Sequence, residues 1–178
     1  GLIVLVVGLM EPVRRYPESS QACLFARNIV ARLFGNFANF SPSFDSKFMP
    51  LADEVGRAAR EATTAHLITQ HPGTPSREPT PIWSMEYYDR PYLDIAGVQS
   101  GHNGGNRQRC AQHAIEWILH AYRHEPPKPV INLEAMYDGQ GENGWQAVDA
   151  RSLGWRSWLS GAMGYTYGAG DTAPKVPR

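Results

Sequence analysis

Short apolar runs alternate with amphipathic helical patterns along nearly the whole chain, and this alternation constrains the fold more than any other feature. The run Leu2 to Leu9 is continuously apolar, as a strand covered on both faces should be. After the polar stretch Glu11 to Ser19, the residues Cys23, Leu24, Ile29, Val30, Leu33 and Phe34 fall on one side of a helix that stops near Gly35. Phe37 to Ser41 reads as the next strand. Leu51, Val55, Ala58, Ala59 and Ala62 mark a second helix, with Pro50 near its start, where a missing N–H costs little. His66 to Thr69 and Asp94 to Gln99 read as strands, separated by a Pro- and aromatic-rich loop from His71 to Arg90. Loops of that length without regular structure are uncommon and often functional. A helix carrying Ala111, Ala114, Ile115, Ile118, Leu119 and Tyr122 follows, and then the strand Pro129 to Glu134. A Gly-rich loop, a helix with Leu153, Trp155, Trp158 and Leu159, and a last strand from Gly164 to Gly168 complete the series.

Repeated strand–helix alternation implies an α/β fold with a parallel sheet. Polar and aromatic residues gather just after the strands, which fits a (β/α)8 TIM barrel, whose active sites lie at the C-terminal strand ends. Six strands do not close eight. The expectation is therefore a single incomplete barrel domain over residues 1–178, holding about strands three to eight. The chain opens with Gly directly inside a strand, which reads as an N-terminal truncation. An open doubly wound sheet is the rival and needs no missing piece. No Gly-rich phosphate fingerprint follows the first strand, which weakens its dinucleotide-binding version.

Charge narrows the partners. The chain balances 17 basic against 17 acidic residues, with no basic stripe to hold nucleic acid. No stretch is long enough to span a bilayer, and Leu2 to Leu9 is too short and too β-branched for a signal sequence. Cys23 and Cys110 are the only cysteines; both fall within helical patterns and read as buried packing residues rather than a disulfide. They leave the compartment open.

Two acids stand out. Glu134 closes the apolar run Pro129-Val130-Ile131-Asn132-Leu133-Glu134, and a carboxylate at the end of a buried strand is expensive unless something needs it there. Asp45 follows the strand Phe37 to Ser41 in the turn Pro42-Ser43-Phe44-Asp45. Two carboxylates at the exit ends of parallel strands are what cleavage of a sugar–sugar bond requires. Each has a plainer reading: Glu134 as partner to Arg151 or Arg156, Asp45 as a turn or cap residue. Asp53 is a fallback acid, but its place on the second helix points it to solvent. Gln99 ends a strand, and His71 and His102 each follow one and so face the site, where each is either a ligand contact or a loop-fixing hydrogen-bond partner. On the loop after Glu134, Tyr137 is close enough to hydrogen-bond that acid or a substrate, Trp145 is a candidate for the pocket, and Asp138 and Glu142 are either sugar-hydroxyl binders or solvated loop acids. Tyr165 and Tyr167 on the last strand complete the expected substrate-binding set of Gln99, His71, His102, Tyr137 and Trp145. Trp83, Tyr87 and Tyr88 on the long loop are either a sugar-stacking wall or rim cover. Trp117, Trp155 and Trp158 read as helix packing, and His113, His120 and His124 as surface residues.

Lys128-Pro129-Val130-Ile131-Asn132-Leu133-Glu134, followed by Tyr137, resembles the apiosidase-like glycoside hydrolases, a TIM-barrel family. So does Trp158-Leu159-Ser160-Gly161-Ala162-Met163-Gly164-Tyr165-Thr166-Tyr167-Gly168, and Thr69-Gln70-His71-Pro72 and Gln99-Ser100-Gly101-His102 match the same style. The resemblance implies a retaining hydrolase without cofactor or metal. Glu134 would be its nucleophile and Asp45 its acid/base. Many relatives carry Gly-Gly-Asp where this chain has Ser43-Phe44-Asp45. The substrate implied is a complex polysaccharide, pectic and apiose-containing among the candidates, in a secreted or periplasmic setting. Other parts of the same parent chain are the remaining partner.

A retaining mechanism needs one carboxyl protonated and one ionised, so their environments must push the two apart. Expected donors to Glu134 are Asn132, Tyr165, Tyr167 and His102; Phe40 and Phe44 supply apolar surroundings for Asp45. Two rivals remain: a metal-dependent hydrolase using His71, His102, Asp45 and Glu134, against which there is no His-x-His pair, and a carbohydrate-binding barrel that does not cut.

Overall fold

The computed structural model describes residues 5–7, 20–21, 23–24, 28, 37–40, 49–65, 67–71, 88–101, 106–139 and 145–169. The chain divides into two compact units, Gly1–Gly73 with Ile82–Gly97, and Thr74–Pro81 with Val98–Arg178.

In the first unit, strands β1 (Leu5–Val7), β2 (Phe37–Phe40) and β3 (Leu67–Gln70) pair in parallel in that order. Parallel neighbours need a crossover, and helix α1 (Met49–Ala62) supplies one between β2 and β3. Pro50 is its second residue, where the lost donor has no intrahelical partner anyway. The described parts of the preceding helix are helical as expected, at Ser20, Gln21, Cys23, Leu24 and Asn28, with Cys23 half-buried.

α1 is held against the segment before the fourth strand. Gly56 lies on the Tyr92 ring so closely that a Cβ would sit 2.4 Å from Cε2. Tyr92 Oη and Arg90 Nε both donate to Asp53 Oδ1, each at 2.8 Å. Asp53 therefore faces Arg90 and Tyr92 rather than solvent, which corrects the helical-wheel reading: a partner outside the helix decided its direction. Tyr88 is buried in this unit, at 1% exposure, instead of forming a stacking wall; Trp83 and Tyr87 lie outside the described residues.

The strand read from Asp94 begins two residues later, at Ala96, because Asp94 is spent on a local task. Its Oδ2 accepts the Ile68 N–H at 2.8 Å and pairs with Arg60, whose guanidinium also donates to the Tyr92 carbonyl at 3.0 Å. Thr69 bridges to Ile95 in parallel just before that strand starts.

The second sheet comprises β4 (Ala96–Gln99, entirely buried), β5 (Val130–Glu134) and β6 (Gly164–Tyr165), in that order. The division between the two units falls within β4. β5 and β6 pair in parallel. The strand read as Gly164 to Gly168 is paired only over its first two residues; Thr166 still donates its N–H to the Asn132 carbonyl at 2.9 Å.

Helix α2 (Arg107–Tyr122) starts at Asn106, whose side chain accepts the Arg109 N–H at 2.9 Å, satisfying one of the orphan donors of the first turn. It buries Cys110, Ala114, Trp117, Ile118 and Ala121. Helix α3 (Ala147–Leu159) buries Ala150, Leu153, Gly154 and Ser157. Arg107 pairs with Asp149 at 3.3 Å and lies over the Trp145 ring, tying the starts of α2 and α3 together.

Two helix-face expectations fail here. Trp155 and Trp158 are 56% and 46% exposed and Leu159 82%, so this stripe is not buried; the two indoles meet edge-on, centroids 5.4 Å apart, and Trp158 meets the Tyr165 ring at 6.3 Å. His113, expected on the surface, is buried and stacks on Trp117 with ring centroids 3.9 Å apart. Burial, reinforced by nearby Arg109, pulls its pKa down and keeps the imidazole neutral, so it packs as an aromatic ring.

Asp94→Ala removes the acceptor of a buried strand N–H, and unfolding in urea should show a loss of about 1–3 kcal/mol. Asp94→Asn keeps that acceptor and should recover most of the loss, because the Arg60 pair is partly exposed and contributes little. His113 gives a pH signature. The unfolded imidazole takes its proton near 6.5 and the folded one only at lower pH. Its contribution is complete above that value and lost as pH falls through the folded one. The melting temperature of the wild type should therefore fall on acidification more steeply than that of His113→Phe. Equal slopes would clear His113 of the effect.

Candidate active site

The ends of β4 and β5 meet at one backbone group. The Glu134 carbonyl accepts N–H bonds from Ser100 at 2.9 Å and Gly101 at 3.1 Å, so both strands finish at the same edge. A Cβ on Gly101 would lie 2.4 Å from the Ala135 carbonyl carbon and 2.5 Å from the Met136 nitrogen. Backbone cannot yield as a flexible side chain can, so only glycine lets the two chain ends approach this closely.

The Glu134 side chain is half-buried and held at both oxygens. Gln99 donates from Nε2 to Oε2 at 2.6 Å, and the Tyr137 hydroxyl donates to Oε1. An ionised carboxylate only accepts, so the Gln99 amide must present its NH2 to it, which leaves Gln99 Oε1 buried without a partner among the described residues. Burial first, and then donation to Glu134, push the Tyr137 phenol far up, so it stays protonated and remains a donor. Neutral donors thus meet a charge that has been taken partly out of water, and such bonds are the strong ones.

Tyr137 is the donor its nearness in sequence suggests, but Gln99 stands where Asn132, Tyr165 and Tyr167 were expected. Strand alternation puts Asn132 on the same side as Glu134, yet its fully buried amide donates to Ser100 Oγ at 2.8 Å and Ser157 Oγ at 2.9 Å. Ser157 in turn donates to the Leu153 carbonyl, so this amide pins α3 to the ends of β4 and β5. Asn132 Oδ1 is buried without a partner among the described residues. Tyr165 donates to the Ala150 carbonyl at 3.0 Å; burial, then the neighbouring Tyr167, raise its pKa to about 12. Tyr167 is exposed and donates to Asp138 Oδ2 at 3.0 Å, a bond that holds its own pKa up. Trp145 is 4% exposed and packs in a cluster with Cys110, Ala114, Ala135, Met136 and Leu153.

Among the sequence-selected residues, the structure therefore brings Glu134, Gln99 and Tyr137 together. His71 is half-buried after β3, in the first unit. Asp45, His102 and Glu142 lie outside the described residues. Arg156, one possible partner for Glu134, reaches Ser152 on its own helix at 3.3 Å. Among the described residues no group of three or more His, Cys, Asp or Glu side chains is placed to hold a metal ion. No described helix is long and apolar enough to cross a membrane. Sequence reading missed the part played by Ser100, just after β4, and Ser157, on α3, since a lone serine carries no signal of a distant partner.

Gly101→Ala should part the strand ends and cost about 1–3 kcal/mol or more in a urea titration, as overpacking against rigid atoms does. Stability equal to wild type would show that the junction has slack.

Comparison with curated proteins gave no match. Among solved structures, a glycoside hydrolase family 5 protein from Bacteroides vulgatus ATCC 8482 superposes with a TM-score of 0.68 at 22% identity, over 85% of this chain and 36% of that one. A second structure, named only as a glycoside hydrolase, superposes with a TM-score of 0.69 at 21% identity, over 90% of this chain and 40% of that one. The chain thus spans about two-fifths of these structures or less. The likeness shows a shared mixed α/β fold with parallel strands. Residues 13–174 match the family described as "Apiosidase-like, catalytic domain", a stretch that contains the whole Glu134 cluster. The chain belongs to the apiosidase-like catalytic-domain family.

Proposed function

We propose that this chain is part of a (β/α)8 glycoside hydrolase that cleaves a complex polysaccharide, pectic apiose-containing chains among the candidates, with retention of configuration. The observation that carries the reading is the Glu134 carboxylate at the exit end of β5, with both oxygens held by neutral donors. That is how an ionised nucleophile is kept aimed in a half-buried setting. The family match and the fold shared with glycoside hydrolases support the same class of reaction.

In this scheme Asp45 is the acid/base. It gives its proton to the leaving oxygen while a Glu134 oxygen attacks the anomeric carbon, forming a glycosyl ester. Asp45 then takes a proton from the water that hydrolyses the ester, which restores both groups. Retention requires about 5–5.5 Å between the two carboxyls. Gln99 and Tyr137 are the binding residues nearest the reacting carbon in this scheme, since both already touch Glu134.

Hydrolysis of an aryl-glycoside and pectic side-chain panel tests the reading. Glu134→Gly should lose turnover and regain it with azide, giving the glycosyl azide of inverted configuration. Asp45→Asn should lose about 10²–10⁴-fold on substrates with poor leaving groups and much less on activated ones. Near-full activity in either variant removes that residue from the scheme, and binding to glycans without product would leave a carbohydrate-binding module.

A further inference from the structure

The segment after β6 is prominent in the sequence, yet no reacting group has been assigned to it. It runs as Thr166-Tyr167-Gly168, and it is fastened to the residues after β5. Asp138 donates its N–H to the Gly168 carbonyl at 2.9 Å, Asp138 and Ala169 form a parallel bridge, and Tyr167 Oη donates to Asp138 Oδ2 at 3.0 Å. Between these ties lies the ring of Tyr137. A Cβ built on Gly168 would fall 2.1 Å from Tyr137 Cδ1 and 2.4 Å from Cε1. No real contact is that short, so the bare face of Gly168 is the seat of the ring.

The other end of that ring holds Glu134 through its hydroxyl. Tyr137 is three residues beyond Glu134, and Gly168 follows a different strand. We infer that Gly168 is a positioning residue for Glu134, acting through Tyr137: the missing side chain after β6 lets the ring lie where its hydroxyl reaches the carboxylate after β5. A methyl group at 168 has two ways out. It pushes the ring aside, or it breaks the Asp138–Gly168 tie; either moves the hydroxyl away from Oε1. This rests on the reading of Glu134 as nucleophile only where turnover is measured; the seat itself is independent of that reading.

The test uses the full chain with ¹³Cζ-labelled tyrosine. The Tyr137 resonance is assigned by its loss in Tyr137→Phe, and its position without an acceptor is taken from Glu134→Ala. Gly168→Ala should move it toward that acceptor-free position. A resonance left at the wild-type position overturns the inference. If Gly168→Ala does not fold, the double variant Gly168→Ala with Tyr137→Ala decides: folding restored means that the methyl group met the ring, and folding still lost means that Gly168 serves the backbone alone, which overturns the inference. Where the wild type hydrolyses a glycoside, Gly168→Ala and Tyr137→Phe should each lose about 10–100-fold, the size expected for one hydrogen bond to a charge, and Gly168→Ala combined with Tyr137→Phe no more than either alone. Additive losses would overturn the coupling. A fully active Glu134→Gln with the resonance still shifted in Gly168→Ala would instead sink the nucleophile reading and leave the seat standing.

Discussion

A half-buried carboxylate must find donors to replace the water it has lost, and the donors of Glu134 come from the chain around one strand junction. The same residue supplies the backbone carbonyl on which β4 and β5 close, through Ser100 and Gly101. Main chain and side chain of a single residue thus serve two purposes at once. The junction brings Gln99 within 2.6 Å of the acid, and the turn that follows brings Tyr137 back to it. Loosening the strand ends would therefore loosen the charge as well.

Behind the junction sits an apolar cluster with one polar pin. Cys110, Ala114, Met136, Trp145 and Leu153 fill the space between the loop after β5 and helices α2 and α3. Asn132 crosses the layer from strand to helix by donating to Ser100 and Ser157. An apolar contact tolerates sliding, whereas two hydrogen bonds of defined length do not. The pin fixes how far along β5 the helix sits, and with it the height of the Glu134 end.

Much of this was legible in the residues. Continuous apolar runs announced the strands, helical periodicity announced α1, α2 and α3, and the cost of leaving an acid on a buried strand singled out Glu134. Tyr137 is within hydrogen-bond reach of Glu134 by sequence distance alone, whereas Gln99 stood out as a strand-end residue but not as a donor to the acid. What stayed hidden depended on partners far away in the chain. Asp53 was read as solvent-facing because a helical wheel does not contain Arg90 and Tyr92. His113 was read as surface because its composition is polar, while burial against Trp117 makes it behave as a flat apolar ring. Asn132 was assigned to Glu134 by strand alternation, which gives a side but not a partner.

The outer stripe of α3 has a consequence for anyone handling the molecule. Trp155, Trp158 and Leu159 turn indole and isobutyl groups toward water, and Met163 just beyond the helix is 51% exposed as well. Water wets such a ridge poorly, so at high concentration it will favour clustering, and salting-out ions will worsen it. Polar replacements at Leu159 and Met163 are the place to begin when concentrated, well-behaved samples are wanted, since Trp158 rests on the Tyr165 ring beside the apolar cluster.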